Sequence, residues 1–467
     1  MRRELLVAGA ALLVAGCNMA PPLQTPPSTL PERYPVAAVP QEEVTPAYAL
    51  GWEQFVLDPQ LRQLIAIALD NNQDLAAATA RIEQAEALYR IQNSLRVPAL
   101  NAGLSSQRSG GPTPAGGRAV AESHALQVAV PAFELDFWGR VANLSEAARR
   151  QYLATVEARQ AFQLSVVGSV ASAYYILRSS EDGIALARRT LDSRRQTLEL
   201  ARLRMEGGLT SSIDHDQAHA LVNQAEVQLT QFEQTRQQAL AWLRALTGVD
   251  PEAIVEPARM RPGEAGQLAA FSPGLPSQLL ANRPDIRRAE HRLAAANANI
   301  GAARAAYFPT ISLSGSTGYA SAELGELFSG GSNVWSVGAG ALLPIFDMGR
   351  RKAQLRFSEA ELAEREAEYR QAVLNAFRET HDGLYALQAN AERIASLARS
   401  VQVQQNLAET AQDRYEVGLS PYLEVLDAER GLFSAQQALL QAQGTDLQDR
   451  VNLYLSLGGG DLGPAPR

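Results

Sequence analysis

Two stretches of this chain, about 210 residues apart, follow the same order of elements, and any fold must hold both copies. Arg96-Val97-Pro98-Ala99-Leu100 ends a helical pattern and opens a strand, as Tyr307-Phe308-Pro309-Thr310-Ile311 does later. Pro131-Ala132-Phe133 closes a strand ahead of a helix start at Gly139-Arg140, as Pro344-Ile345-Phe346 does ahead of Gly349-Arg350. Arg204-Met205-Glu206-Gly207-Gly208-Leu209 matches Arg414-Tyr415-Glu416-Val417-Gly418-Leu419. Helix, strand, loop, strand, very long helix, turn and long helix therefore occur twice.

The long helices carry the clearest periodicity. From Arg140 to Met205 there is no proline, and Val170, Leu177, Ile184, Leu191, Leu198 and Met205 fall seven apart. In the second copy Leu387, Ile394, Val401, Ala408 and Tyr415 repeat the spacing. A sustained heptad means helices supercoiled around partners. About 65 residues at 1.5 Å each is roughly 100 Å, far beyond a globular helix. Ile213 to Leu246 and Tyr422 to Leu457 read as antiparallel returns, the first with a seam at Ala218, Ala225, Phe232, Ala239 and Leu246. With aromatics at only 6%, small aliphatic residues set the packing.

The strands show period two. Ile311, Leu313, Gly315, Thr317 and Tyr319 alternate with Ser312, Ser314, Ser316 and Gly318, and Trp335, Val337, Ala339 and Ala341 with Ser336, Gly338 and Gly340. One face apolar and the other small and polar suits lipid outside and a wet lumen inside. Segments of about 10–12 residues are the length that a tilted strand needs to cross a bilayer. In the first copy Leu126, Val128 and Val130 alternate, whereas Asn101 to Ser109 is mostly small and polar. Gly110 to Gly117 and Glu323 to Asn333 read as loops.

At the N-terminus Arg2 and Arg3 precede an apolar run from Leu5 to Gly16, too short to span a bilayer but fitting a secretory signal. Val14-Ala15-Gly16-Cys17 resembles a bacterial lipobox, which implies cleavage before Cys17 and acylation of that residue. Asn18, in place of an Asp, favours outer-membrane sorting. Cys17 is the only cysteine, so no internal disulfide forms. The expected organisation is a signal peptide at 1–16, a lipidated extended segment at 17–57, a first repeat at 58–248, a linker at 249–280, a second repeat at 281–458 and a tail at 459–467.

Four strands cannot close a barrel, and an open sheet in lipid leaves its edge groups without partners. If these strands span a membrane, other copies must complete the barrel: two give eight strands, three twelve, four sixteen. A tube joined to an open barrel is a conduit, whose task is transport without covalent chemistry.

Several further motifs are specific. They are Asp58-Pro59-Gln60-Leu61 with Ala68-Leu69-Asp70-Asn71-Asn72-Gln73-Asp74-Leu75, and Phe133-Glu134-Leu135-Asp136-Phe137-Trp138-Gly139-Arg140. Leu275 to Ile286, with Leu-Pro-Ser-Gln-Leu-Leu-Ala-Asn-Arg-Pro-Asp-Ile, and the turn from Tyr415 to Glu429 complete the set. On these residues the chain resembles the TolC-like outer-membrane factors, in particular the lipoprotein branch serving resistance-nodulation-division pumps. The resemblance implies a mainly α fold with transmembrane β: a homotrimer whose 12-stranded barrel, four strands per chain, continues into a long α-helical coiled-coil barrel. It implies the outer-membrane exit duct of a tripartite efflux pump, working with a periplasmic adaptor (membrane fusion protein) and an inner-membrane transporter, embedded in outer-membrane lipid and requiring no cofactor.

Site expectations follow from the same resemblance. The turns Gly207-Gly208-Leu209-Thr210 and Val417-Gly418-Leu419-Ser420 reverse the chain, where glycine supplies the positive φ, and they would meet the adaptor's hairpin tips. Leu423, Glu424 and Asp427 share a helical face at offsets of three and four. Carboxylates repeated around an axis favour cations, and a solvated face is the plain alternative. The resemblance makes Leu423, Glu424 and Asp427, with Asp214 of the first repeat, a periplasmic gate. Met205 stands where the second repeat has Tyr415, so that ring's contacts exist once only.

Other classes are less well supported. A net charge of −8 without a basic stripe argues against nucleic acid. His215-Asp216-Gln217-Ala218-His219 offers a zinc-like spacing, but no third ligand is evident, and no enzyme is expected. A periplasmic coiled-coil adaptor or scaffold lipoprotein would share the heptads and lipobox without needing membrane-length strands. Five methionines in all lean the cargo towards organic toxicants rather than metals.

Overall fold

The structure, a computed structural model, describes residues 18–27, 30–34, 45–112, 117–255 and 268–460. The signal at 1–16, Cys17, residues 256–267 of the inter-repeat linker and residues 461–467 of the tail lie outside the described residues. The first copy consists of α1 (Pro59–Asn71), α2 (Gln73–Ser94), β1 (Asn101–Pro112), β2 (Arg118–Leu135), α3 (Arg140–Glu206) and α4 (Ser212–Thr247). The second consists of α5 (Pro284–Ala305), β3 (Thr310–Ser321), β4 (Asn333–Leu342), α6 (Arg350–Glu416) and α7 (Tyr422–Ser456). α3 and α6 are each 67 residues long, so the duplication read from sequence extends to equal helix lengths.

Local chemistry places the element ends. Asp58 caps α1 by accepting from the amides of Gln60 and Leu61, with Pro59 preset at the first helical position. The Asn72 side chain accepts from Leu75 N and opens α2 directly after α1. Gly139 and Gly349 both hold positive φ just before α3 and α6. Ahead of α1, the segment read as extended holds two helical turns, Ala47–Ala49 and Trp52–Phe55. Phe55 is drawn in by its stack on Tyr454, 4.0 Å between ring centroids.

The chain divides into two compact units. The first comprises residues 1–27, 80–156 and 288–371 and contains one antiparallel sheet in the order β1-β2-β3-β4. Both outer edges, on β1 and β4, are unpaired in this sheet. Register puts Leu104 opposite Leu126, Tyr319 opposite Leu126, Val128 opposite Thr317, and Thr317 opposite Trp335. These residues, with Leu313 and Val337, share one face, and Trp335 (75%) and Val337 (79%) are open to solvent in the single chain. Gln107, Gln127, Ser312, Ser314, Ser316 and Ser336 occupy the other face. The Ser316 and Ser336 hydroxyls meet at 2.8 Å.

From Ile311 to Tyr319 the apolar face covers about 26 Å of strand, or about 20 Å of height when tilted by about 40°. Beyond it the cross-strand pair Arg108–Glu122, 3.0 Å apart, ends the apolar band. Two strand limits differ from the sequence reading. β1 runs on through Gly110 to Pro112, and β2 continues past Pro131 to Leu135. Proline cannot donate to the ladder, and the register shift between Val130 and Phe133 absorbs it as a bulge.

The second unit comprises residues 28–79, 157–287 and 372–467. Of the α3 seam, Val170, Leu177, Ile184 and Leu191 are buried there, and Leu198 and Met205 are half-buried. Of the α6 seam, Leu387, Ile394, Val401 and Ala408 are half-buried in the single chain, and only Tyr415, at the reversal, is buried. No described helix is long and apolar enough to cross a membrane.

Candidate functional site at the helix reversals

Both reversals close with the same backbone geometry. Gly208 (φ 71°) and Gly418 (φ 77°) are left-handed. Leu209 N donates to Arg204 O at 2.9 Å, and Leu419 N to Arg414 O at 2.8 Å. A side chain is strained at that φ, which is why glycine recurs there. Gly207 is not left-handed, so of that pair only Gly208 is required by the turn. Leu209, Val417 and Leu419 are strongly exposed, Leu209 at 78%, while Thr210 and Ser420 are half-buried.

Just inside the reversals, one apolar cluster joins all four long helices: Ala201 of α3, Ala218 and Leu221 of α4, Ala411 and Tyr415 of α6, and Tyr422, Val425 and Leu426 of α7. It brings the first turn of α4, carrying Asp214, and the first turns of α7, carrying Leu423, Glu424 and Asp427, to the same end of the bundle. Val425 and Leu426 point into the cluster, so Leu423, Glu424 and Asp427 are left outside and exposed. Asp214 is half-buried, and its charge helps to raise the Tyr422 hydroxyl, whose largest cause is burial. Glu424 reaches back to Arg414, Oε2 to Nε 3.8 Å. Its charge is thus shared within its own hairpin.

Tyr415, which stands where the first turn has Met205, makes contacts specific to its ring. The Arg204 guanidinium lies 4.4 Å over the Tyr415 ring and donates to the carbonyls of Tyr415 (3.1 Å) and Glu416 (2.9 Å). Tyr415 also packs on Tyr422, 5.3 Å between centroids. Arg204 thereby ties the first hairpin to the second.

Sequence reasoning missed the centre of this region. Arg194 of α3 is fully buried; its Nη1 donates to Leu221 O of α4 at 2.9 Å and its guanidinium lies 5.0 Å over the Phe433 ring of α7. Glu429 of α7 stands 3.9 Å from Arg194 Nε. Burial pushes the Glu429 carboxyl above the usual range, opposed by Arg194, and lowers the Arg194 guanidinium. Arg194 Nε and Nη2 and Glu429 Oε2 have no hydrogen-bond partner among the described residues. The only signal was Glu429 at the end of the turn motif, since Arg194 reads as one more helix-surface cation.

His215 and His219 lie with ring centroids 6.3 Å apart, and His215 Nδ1 meets Asp216 Oδ1 at 3.3 Å. Among the described residues no group of three or more His, Cys, Asp or Glu is arranged to hold a metal. The apolar reversal tips and the exposed carboxylates on the first turns of α7 form surfaces for contact and for charge.

Comparison with known proteins agrees with this description. The model of the family described as outer membrane efflux protein matches residues 64–249 and 275–459, one stretch in each repeat. The toluene efflux pump outer membrane protein TtgC of Pseudomonas putida is 38% identical over 468 residues, covering 98% of this chain and 96% of that one. The outer membrane protein OprJ of Pseudomonas aeruginosa is 39% identical over 457 residues, covering 96% and 94%. The crystal structure of the open state of the Neisseria gonorrhoeae MtrE outer membrane channel superposes with a TM-score of 0.85 at 33% identity, covering 95% of this chain and 98% of that one.

Proposed function

The chain belongs to the outer membrane efflux protein family, and from that premise we propose that three copies form the exit duct of a tripartite pump for toxic organic compounds. It is the outer-membrane channel component of an efflux system, with a mostly helical fold, two repeats and a four-stranded sheet per chain. One observation carries the proposal: an antiparallel sheet with an exposed apolar face and two unpaired edges. In lipid those edges must be satisfied, and copies of the same sheet are the available partners. Three copies give twelve strands.

A periplasmic adaptor seats on the reversal tips through Leu209, Val417 and Leu419, with Gly207, Gly208, Thr210, Gly418 and Ser420 shaping the loops. An inner-membrane resistance-nodulation-division transporter completes the pump. Leu423, Glu424 and Asp427, with Asp214, narrow the periplasmic mouth. Cys17, outside the described residues, bears the acyl anchor. The exposed position of Leu423 and Asp427 supports the gate, because side chains that pack into no neighbour of their own chain remain available at an axis.

Single-channel recording in planar bilayers tests the gate. Leu423→Ala with Asp427→Ala should raise conductance several-fold over the unmodified channel. Unchanged conductance, in a protein that still inserts, removes these residues from the gate while leaving the duct intact.

A further inference from the structure

We propose that the junction following β4 is a docking surface for the anionic headgroups of phospholipids in the leaflet bordering the periplasm. The proposal rests on reading the sheet as membrane-spanning, and its grounds are in the junction itself. Directly after β4, Ile345 (91%), Phe346 (81%) and Met348 are almost fully exposed. Arg350, Lys352 and Arg356 follow on the first two turns of α6. All three are exposed or half-exposed, and among the described residues they have no ion pair or side-chain hydrogen bond. Lys352 and Arg356, one turn apart, share a face. Arg351 is differently placed, held by Asp347 at 2.7 Å.

The three cations gain nothing from the helix end on which they sit. The N-terminal end of a helix carries partial positive charge, so cations there are unfavourable and acids favourable. Asp347, just ahead of α6, accepts from the amides of Gly349 and Arg351 and pairs with Arg351, so the one acid at this helix end is committed and Arg350, Lys352 and Arg356 gain no partner from it. The first repeat solves the same junction internally: Arg140 is paired with Glu134, Nε to Oε1 2.8 Å. Trp138 stacks on Phe308 at 4.6 Å and donates to Pro309 O at 2.9 Å. One copy of the plan is therefore satisfied by its own chain, and the other presents apolar side chains beside unpaired cations.

A neighbouring copy is a poor source of the missing charge. Closing the ring sets the periplasmic end of β4 beside the start of another β1, and residues 87–121 contain no Asp or Glu. That segment brings its own exposed cation, Arg96. Two cationic edges meeting at the foot of a membrane sheet need anions from outside. Phosphodiester headgroups above acyl chains match both the charge and the exposed Ile345 and Phe346.

Native mass spectrometry of the assembled protein in detergent, titrated with phosphatidylglycerol or phosphatidylcholine of equal chain length, tests this. The unmodified protein should retain phosphatidylglycerol preferentially, and raised salt should weaken the preference. Surface cations contribute about fivefold each, so Arg350→Gln with Lys352→Gln and Arg356→Gln should reduce it at least about tenfold. Arg393→Gln with Arg399→Gln should leave it unchanged, and Arg350→Lys with Arg356→Lys should retain it. Equal retention of both lipids by the unmodified protein, or an undiminished preference in the triple variant, overturns the proposal. So does loss of assembled mass in the triple variant, which would assign these cations to contacts between copies. Absence of the unmodified protein from the membrane fraction would instead refute the spanning sheet.

Discussion

Arg194 and Glu429 show what a single buried charge demands. The guanidinium is removed from water, yet its one geometric hydrogen bond goes to a carbonyl, and the facing carboxylate stands at 3.9 Å. Removing the cation leaves Glu429 buried without its counter-charge, which costs more than the pair contributes. Arg194→Met should lower stability by about 2–4 kcal/mol in denaturant unfolding, and adding Glu429→Gln should restore part of it. Asp182 gives a pH-dependent counterpart. Burial, reinforced by Glu181, raises its carboxyl to about 6 against Arg178 and Arg189. A raised carboxylate contributes stability that is full below its unfolded value near 4 and lost as pH rises through 6. Asp182→Asn should therefore flatten thermal stability across that window and exceed the unmodified protein near neutrality. The turn glycines and the outward carboxylates were legible in the sequence because motif and spacing mark them. Arg194 was not, because its burial depends on a carbonyl 27 positions away and a ring on another helix.

Helix against helix, the first repeat depends on a position where no side chain fits. A Cβ on Gly183 of α3 would stand 2.4 Å from the Phe232 ring of α4; one on Gly168 would meet only the terminal methyl of Leu455 of α7, which can turn aside. The Gly183 approach lets α3 lie tightly against α4, and overpacking it forces off-rotamer side chains. Gly183→Val should cost about 1–3 kcal/mol, and Phe232→Ala in that background should recover much of the loss, as a double-mutant cycle would register. The heptads predicted α3 and its buried seam because every seventh residue falls on one face. The half-buried seam of α6 could not be anticipated, since identical spacing fits burial within a chain and burial against a neighbour. The pattern ends β2 at Pro131-Ala132-Phe133, whereas the strand runs two residues further to Leu135. A bulge depends on the partner strand's register, which one strand's sequence does not contain.

For the molecule as a whole, what holds it in the membrane separates a duct from a tethered scaffold. An acyl anchor contributes about 0.8 kcal/mol per buried methylene, enough to retain a soluble domain that would otherwise leave. A membrane-spanning sheet holds the chain in lipid by a route that does not depend on any acyl chain. Its apolar face is exposed from Leu104 to Val337, and both edges lack partners until copies close around them. Once closed, withdrawing the ring from lipid would expose that face to water on every subunit together. Cys17→Ser, behind a cleavable signal, should therefore leave the protein in the outer-membrane fraction after carbonate or high-salt washing. Its mass in detergent should equal three subunits. A soluble periplasmic product would mean that the acyl chains alone had held it, and a membrane-bound product of single-subunit mass would mean that the edges were satisfied without copies.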